Sequence, residues 1–285
     1  MGLEFSIIIP SYNRSQTIGR AIQSVLVQTY LDFEILVVDD GSTDHTAEIL
    51  NQFPGVRYIR QSNQGVCAAR NNGAKAALGK WLVFLDSDDE LIPTALKEFS
   101  AGIRNFPEVN IFQTGFQKLA PSTKKVEDFP ASTLTYSPPL SGTYAMNKTL
   151  FLEVGGFDEK LSYAENMELF FRLTEREIFP HIIESMGLLY HESSSGGSKD
   201  LIAMDFSLRR ILDKHSAQMN SKDVWNLNQT LGVIQLRRGE NKEAQKSFKR
   251  AIGERPFEIS TMLRYIISLI PFLSKRIYTS DLSKV

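Results

Sequence analysis

Short apolar, β-branched runs alternate with amphipathic stretches through the first ninety residues of the chain. Residues 5–9 form one such run, closed by Pro10, and read as a buried strand. After a polar turn, Ile18, Ala21, Ile22, Val25 and Leu26 recur at helical spacing. A second strand is predicted over 34–38, a helix over 46–52 and a third strand over 56–59. An Ala-rich helix over 66–78 is closed by Gly79, and residues 81–85 give a fourth strand. Strands alternating with helices imply right-handed crossovers and a mostly parallel sheet flanked by helices. In such sheets ligands bind beyond the carboxyl ends of the strands. The polar residues fall there: residues 11–14 after the first strand, Asp39 and Asp40 after the second, and 86–89 after the fourth.

The second half is less regular. Residues 116–142 are rich in Pro, Ser and Thr and read as a long loop. Ordered structure resumes over 144–154, followed by Gly155, Gly156, Phe157 and Asp158, and a helix is predicted over about 164–175. Gly196 and Gly197 mark a flexible segment, after which helical blocks run over 201–219 and 221–273. The expected organisation is an α/β domain over 1–200 and an α-helical extension over 201–285. Within the extension, Gly232, Gly239, Ala244, Phe248, Ala251 and Pro256 have the spacing of one tetratricopeptide repeat (TPR) over about 225–257, with Asn228 and Gln235 where the usual aromatics stand. One copy lacks the neighbours that stacked repeats lean on. It would dock on the α/β domain, pair with another subunit or cap a helical appendage.

Composition is that of a globular chain, and the net charge of −1 points away from nucleic acid as a partner. From Leu231 onward, 11 Lys and Arg face 5 Asp and Glu. Such basic helices are either a solvated face or a peripheral contact with anionic lipid or a protein. No basic-then-apolar leader opens the chain. The apolar stretch 265–273, broken by Pro271, is too short to span a bilayer but long enough to lie on one. Cys67 is the only cysteine, so no intrachain disulfide is possible, and a cytoplasmic location is expected, with the inner face of a membrane as the peripheral variant.

Asp86-Ser87-Asp88 is the most pointed chemical feature. At a strand end, one carboxylate can accept from a sugar hydroxyl while the other binds a hard divalent cation bridged to phosphates. Asp39 and Asp40 on the neighbouring strand end strengthen that reading, since gathered carboxylates repel unless a cation or hydrogen bonds relieve them.

The segments SIIIPSYNR (6–14), QTYLDFEILVVDDGSTD (28–44), NQGVCAARNNG (63–73), FLDSDD (84–89) and GGFDEKLSYAENMELFFRL (155–173) together resemble glycosyltransferase family 2. The resemblance covers about residues 4–195 and implies the GT-A fold and an inverting transfer from a nucleoside diphosphate sugar, UDP-linked by expectation. It implies that Pro10, Tyr12 and Arg14 wrap the base and ribose, that Asp39 and Asp40 face the base, and that Arg70 closes over the nucleotide. It also implies that Asp86 and Asp88 are the D-x-D pair, with Asp88 and His191 near a Mn²⁺ or Mg²⁺ ion. The acceptor, whether saccharide, lipid-linked or protein, is left open. So is the role of each residue, because Tyr12 can pack over the sheet edge, Arg14 and Arg70 can be ion-pair partners, and His191 can be a hydrogen-bonded structural residue.

One position departs from the family pattern, which places Glu-Asp at the start of the acceptor-side helix with the aspartate as base. Here the pair is Glu165-Asn166, and an amide cannot take a proton at neutral pH. Glu165 is the favoured substitute and Glu168 a poorer one. A more readily ionised acceptor such as a thiol, or lost turnover in a nucleotide-sugar-binding relative acting through its helical tail, are the alternatives. A nucleotidyltransferase is disfavoured, because residues 6–14 lack a Gly-rich basic loop.

Overall fold

A computed structural model describes residues 2–120, 123–133, 139–192 and 200–278. The chain divides into two compact units, one of residues 1–159 with 165–193 and one of 160–164 with 194–285.

The first unit is built on one curled sheet. Strand β1 (Phe5–Ser11) leads to α1 (Ile18–Leu26), β2 (Phe33–Asp39), α2 (Thr46–Leu50), β3 (Val56–Arg60), α3 (Val66–Ala76) and β4 (Trp81–Phe84). Then come β5 (Glu90–Leu91), α4 (Ala95–Asn105), β6 (Ile111–Leu119), β7 (Val126–Phe129), β8 (Tyr144–Asn147), α5 (Lys148–Glu153), α6 (Glu165–Thr174) and β9 (His181–His191). The strand order is β3-β2-β1-β4-β8-β6-β9-β5, with β7 pairing β6. The strands from β3 to β4 are parallel, as the alternation predicts. Beyond β4 the sheet is mixed, because β8 runs antiparallel to both β4 and β6 while β6 and β9 pair in parallel.

Both faces of the central strands are covered, which explains their unbroken apolar runs. Phe5, Ile7 and Ile9 of β1 pack with Ile18, Ile22 and Val25 of α1 and with Leu96 and Phe99 of α4. On the opposite face Ile8 meets Gly73 of α3 so closely that a Cβ there would lie 2.5 Å from its methyl group. Phe84 lies on that face too, its ring centroid 5.1 Å from those of Phe151 and Phe157. Residues 116–142, expected to be a loop, contain the end of β6 and all of β7. The β7 strand is exposed and polar, so no buried periodicity marks it, and it is held by its ladder to Phe116–Leu119 and by the stacked rings of Phe116 and Phe129, 4.8 Å apart. The glycine-rich segment at Gly196 and Gly197 lies outside the described residues.

A buried carboxylate ties the β2 edge together. Glu34 accepts from Ser6 Oγ at 2.5 Å, from the Leu78 amide and from Arg57. Burial alone would raise its pKa, but these donors outweigh it and hold the carboxyl below the usual glutamate range. A group more acidic in the folded state stabilises the fold above its unfolded value and loses that contribution as pH falls through its folded value. Glu34→Gln should therefore cost about 2 kcal/mol at neutral pH. The gap to wild type should begin to narrow below about pH 4, where an unfolded glutamate is protonated, and close only once pH falls below the lowered folded value. Denaturant titrations at both pH values would reveal a constant gap if the carboxylate charge is immaterial.

The second unit is helical: α7 (Leu201–His215), α8 (Ser221–Arg237), α9 (Asn241–Glu254), α10 (Ile259–Ser268) and α11 (Pro271–Ile277). The helical block expected over 221–273 is four helices, separated where Gly239, Pro256 and Pro271 punctuate it. Gly239 takes φ 78° and ends α8, with its N–H on Leu236 O and the Glu240 N–H on Gln235 O. Helices α8 and α9 approach closely at Gly232, where a Cβ would lie 2.6 Å from the Phe248 ring. Gln235 is buried, donating to Asp205 and accepting from Ser247. No helix among the described residues is long and apolar enough to cross a membrane.

Candidate functional site

The parallel register brings the carboxyl ends of β1, β2 and β4 side by side, with Ser11 opposite Asp39 and Ile8 opposite Phe84. The segments that follow these strands are therefore neighbours. Pro10 is buried in β1 opposite Val38. Asn13, with φ 53°, lets the chain turn sharply after β1; its Oδ1 accepts from the Thr43 amide at 2.8 Å and its own amide donates to Ser42 Oγ at 2.9 Å. The amide of Arg14 donates to Thr46 Oγ1 and that of Ser15 to Asp44. This lacing leaves the Tyr12 ring half exposed at the rim.

Asp39 and Asp40 are buried and already engaged. Asp39 accepts from the Ser42 amide and from Tyr58 Oη, each at 2.8 Å. Burial, then the adjacent carboxylate, push the Tyr58 phenol up to about 12. Asp40 accepts from Gln61 Nε2 and the Gln64 amide on one oxygen and from the Gly65 amide on the other, all at 2.8 Å. It thereby shapes the loop entering α3, where Gly65 supplies φ 93°. The resemblance implies that both aspartates face the base; in the structure their carboxylates accept from the loops after β2 and before α3.

After β4 the carboxylates crowd. Burial, then the charge of Asp86, raise the Asp88 carboxyl, with Arg14 and Arg20 opposing. The same two causes raise Asp89 further. Arg20 is tied here by donating to the Asp88 carbonyl. Asp89 accepts from the His191 amide, and His191 Nε2 lies 2.6 Å from Glu90 Oε1. His191 thus neighbours the acidic turn, with its Nε2 held by Glu90. Among the described residues no three His, Cys, Asp or Glu side chains gather closely enough to hold a metal by themselves.

Arg70 is the centre of the arrangement. It is 2% exposed on α3, donating through Nη2 to Asp86 at 2.5 Å and through Nη1 to Glu165 at 2.8 Å. Its guanidinium carbon sits 5.4 Å from the centroid of the Phe157 ring. Burial alone would favour a neutral side chain, but Asp86 and Glu165 outweigh it and keep Arg70 charged. One cation thereby joins the acidic turn after β4 to the first residue of α6. Cys67, one turn earlier on α3, is buried, which pushes its thiol up and leaves it inert.

Several residues to which the motifs assign no individual role, Asn71, Tyr144 and Arg172 among them, fix the α6 side. Asn71 accepts from the Phe157 amide and donates to the Phe157 carbonyl and to Glu159. Gly156, with φ 66°, admits that clamp, since a Cβ would lie 2.5 Å from Asn71 Oδ1. Arg172 grips Glu168 with two nitrogens and caps the carbonyls of Val154 and Gly156. Glu168 is fully buried in this pairing. Asn166 Oδ1 accepts from Tyr144 Oη at 2.8 Å, and its Nδ2 lies 3.4 Å from Ser141 Oγ. Burial raises the Tyr144 phenol, so it stays protonated and donating. The residue before α6, Ala164, is held at φ 57°, which fixes how Glu165 enters the helix.

Residues 6–151 match the family model described as Glycosyl transferase family 2. An uncharacterized glycosyltransferase of Rickettsia felis is 43% identical over 132 residues, covering 43% of this chain and 21% of that protein. The chondroitin synthase of Escherichia coli is 33% identical over 195 residues, covering 62% of this chain and 27% of that protein. The chain thus spans about a fifth to a quarter of the length of these two relatives. Among solved structures, Staphylococcus aureus TarS 1–349 superposes with a TM-score of 0.61 at 20% identity, over 99% of this chain and 91% of that one. The same TarS fragment in complex with UDP-GlcNAc gives 0.61 at 18% identity, over 94% and 80%. These likenesses establish the fold as GT-A-like, with several helices following the α/β unit.

Proposed function

Because the chain belongs to glycosyl transferase family 2, we propose that it transfers a sugar from a nucleoside diphosphate donor, UDP-linked, to an acceptor hydroxyl with inversion. The observation that carries this reading is the Arg70 bridge, which sets a donor-side carboxylate, Asp86, and an acceptor-side carboxylate, Glu165, on one buried cation. Tyr12 and Arg14 stand at the rim for the base and ribose, above the loops that Asp39 and Asp40 hold. The UDP-GlcNAc bound by TarS supports a UDP-linked donor, and the relatives named chondroitin synthase support a saccharide acceptor.

Asp86, Asp88 and Asp89 gather in one turn after β4, where burial and then the charge of Asp86 raise the carboxyls of Asp88 and Asp89, and a hard divalent cation would relieve that crowding. Asp88 would hold Mn²⁺ or Mg²⁺, with diphosphate oxygens completing its ligands and His191 beside it. When bound, the ion would neutralise the charge growing on the leaving diphosphate. Asp86 accepts from the donor sugar, and Arg70 holds Asp86 in place. Glu165 uses the oxygen not given to Arg70 to take the acceptor's proton as the hydroxyl attacks the anomeric carbon from the opposite face. Asn166 cannot take a proton; gripped by Tyr144, it positions the start of α6. That fixed amide also favours a second reading, a donor-binding relative with weakened turnover. The α8–α9 hairpin, close-packed at Gly232 and Phe248, is read as one TPR-like unit.

The test is donor turnover with UDP- and GDP-sugars, with saccharide acceptors, with and without Mn²⁺. Glu165→Gln should cut turnover about 10²–10⁴-fold, the usual contribution of a general base. Asn166→Asp, whose carboxylate can accept from both Tyr144 and Ser141, should leave turnover within a few-fold. A wild type that binds donor without turnover, paired with an active Asn166→Asp, would establish the weakened relative instead.

A further inference from the structure

In the last two helices of the second unit the buried residues are small and polar, while a row of apolar residues is exposed. In α10 the buried residues are Thr261 and Ser268, and in α11 the buried residue is Ser274. The side chains of Thr261 and Ser274 and the backbone carbonyl of Ser268 accept from the other helices, while the Ser268 hydroxyl donates to the Tyr265 carbonyl within α10. Trp225 Nε1 donates to Thr261 Oγ1 at 3.0 Å, and Gln245 donates to the Ser268 carbonyl at 3.0 Å. Asn241 Nδ2 donates to the same carbonyl and to Ser274 Oγ. Tyr265 and Tyr278 pack against Leu236, Ala244 and Phe248, but a row of other apolar residues points the other way. Ile259, Met262, Leu263, Ile266, Leu269 and Ile270 recur at one-face spacing, and all six are exposed. Phe272, 78% exposed, and Ile277 extend the stripe along α11. Polar ties and the packing of Tyr265 and Tyr278 join these helices to the rest of the unit, and the apolar row is left on the outer side.

A contiguous apolar stripe of this length marks a surface that something covers. Charge decides between occupants. Lys275 and Arg276, in the last turn of α11, are exposed and join no ion pair among the described residues. Over residues 201–278 the chain carries 14 Lys and Arg against 7 Asp and Glu. A second copy would bring the same excess positive charge to the contact, which disfavours it. An anionic bilayer offers apolar depth for the stripe and negative headgroups for the basic residues beside it. We propose that α10 and α11 are an in-plane docking surface for anionic lipid. This inference stands apart from the donor chemistry, since none of its residues belongs to the candidate site.

Co-sedimentation of the full chain with vesicles tests it, comparing phosphatidylcholine alone with phosphatidylcholine mixed with phosphatidylglycerol. The chain should sediment with the mixed vesicles, lose that binding as salt is raised, and stay in solution with phosphatidylcholine. Lys275→Glu with Arg276→Glu should weaken binding at least about tenfold, as each basic residue near an anionic surface contributes roughly fivefold. Leu263→Ser, Ile266→Ser and Phe272→Ser together should weaken it at least about a hundredfold, from the apolar burial lost. Circular dichroism of the Lys275 and Arg276 variant, which alters only exposed charges, checks that the helices persist. Equal binding to both vesicles, binding to neither, or unchanged binding by folded variants would overturn the proposal. So would a wild-type dimer in light scattering that the serine variant turns into a monomer, which would assign the face to a second copy.

Discussion

Arg70→Met is expected to abolish measurable sugar transfer and to lower stability by about 3 kcal/mol, near the lower end for removing one partner of a buried ion pair. The methionine fills a comparable volume, so the effect comes from charge rather than from a cavity. It leaves Glu165, with a side chain only 14% exposed, and Asp86, 38% exposed, facing each other without a cation. Water can reach Asp86, which is why the lower figure applies. For a unit of this size about 3 kcal/mol corresponds to a fall in melting temperature of about 6–12 °C. Arg70→Lys separates charge from geometry, since one ammonium cannot bridge both carboxylates as the two Nη atoms do. It should recover part of the stability and little of the transfer. A thermal melt of Arg70→Met within error of wild type would show that the bridge does not stabilise the unit. Full transfer by Arg70→Lys would show that holding both carboxylates at once is not required.

Gly79→Ala should be the most damaging small substitution in the α/β unit. A Cβ there would lie 2.4 Å from Phe5 C, 2.5 Å from Ser6 N and 2.8 Å from Phe5 O. These are backbone atoms of β1, which is flanked by β2 and β4 and cannot shift without disturbing both ladders. The Gly79 amide also donates to Ser6 Oγ at 2.8 Å, so the chain cannot swing away without losing that bond. A loss of about 3 kcal/mol or more is expected, at the upper end for overpacking. Gly55→Ala is the matched control: nothing lies within 4 Å of its added Cβ. It should change stability by less than about 0.5 kcal/mol. Equal denaturation midpoints for the two variants would mean that the turn at Gly79 relaxes freely.

Local chemistry made much of this molecule readable in advance. The runs of β1, β2 and β4 announce themselves because each is buried on both faces, and the helices between them because each buries one stripe. Turn residues then mark where the strands stop, and in a parallel sheet the stops of neighbouring strands are neighbours in space. That is why residues 11–14, Asp39, Asp40 and 86–89 can be placed together at the ligand-binding edge from the strand ends, while the roles of Tyr12, Arg14, Asp86 and Asp88 rest on the resemblance to glycosyltransferase family 2. The amide at Asn166 was legible for the same reason, since a residue type states its own acid-base capacity.

What escaped the sequence depends on partners far along the chain. The exposed, polar β7 has no pattern of its own and exists through its ladder to β6. Arg70 and Glu165 are 95 positions apart, and nothing in either segment says that one buried cation will join them. Glu168, the poorer candidate base, pairs with Arg172, and Asn71, to which no motif assigns a role, clamps the turn at Gly156. The outer faces of α10 and α11 are a further case. Their apolar stripe is plain in the sequence, but only the packed structure shows that the stripe faces outward. A sequence determines which elements a chain forms, because propensity and periodicity are local. Which side chains those elements bury against one another, and so which charges are spent and which are left to act, is decided only when the elements meet.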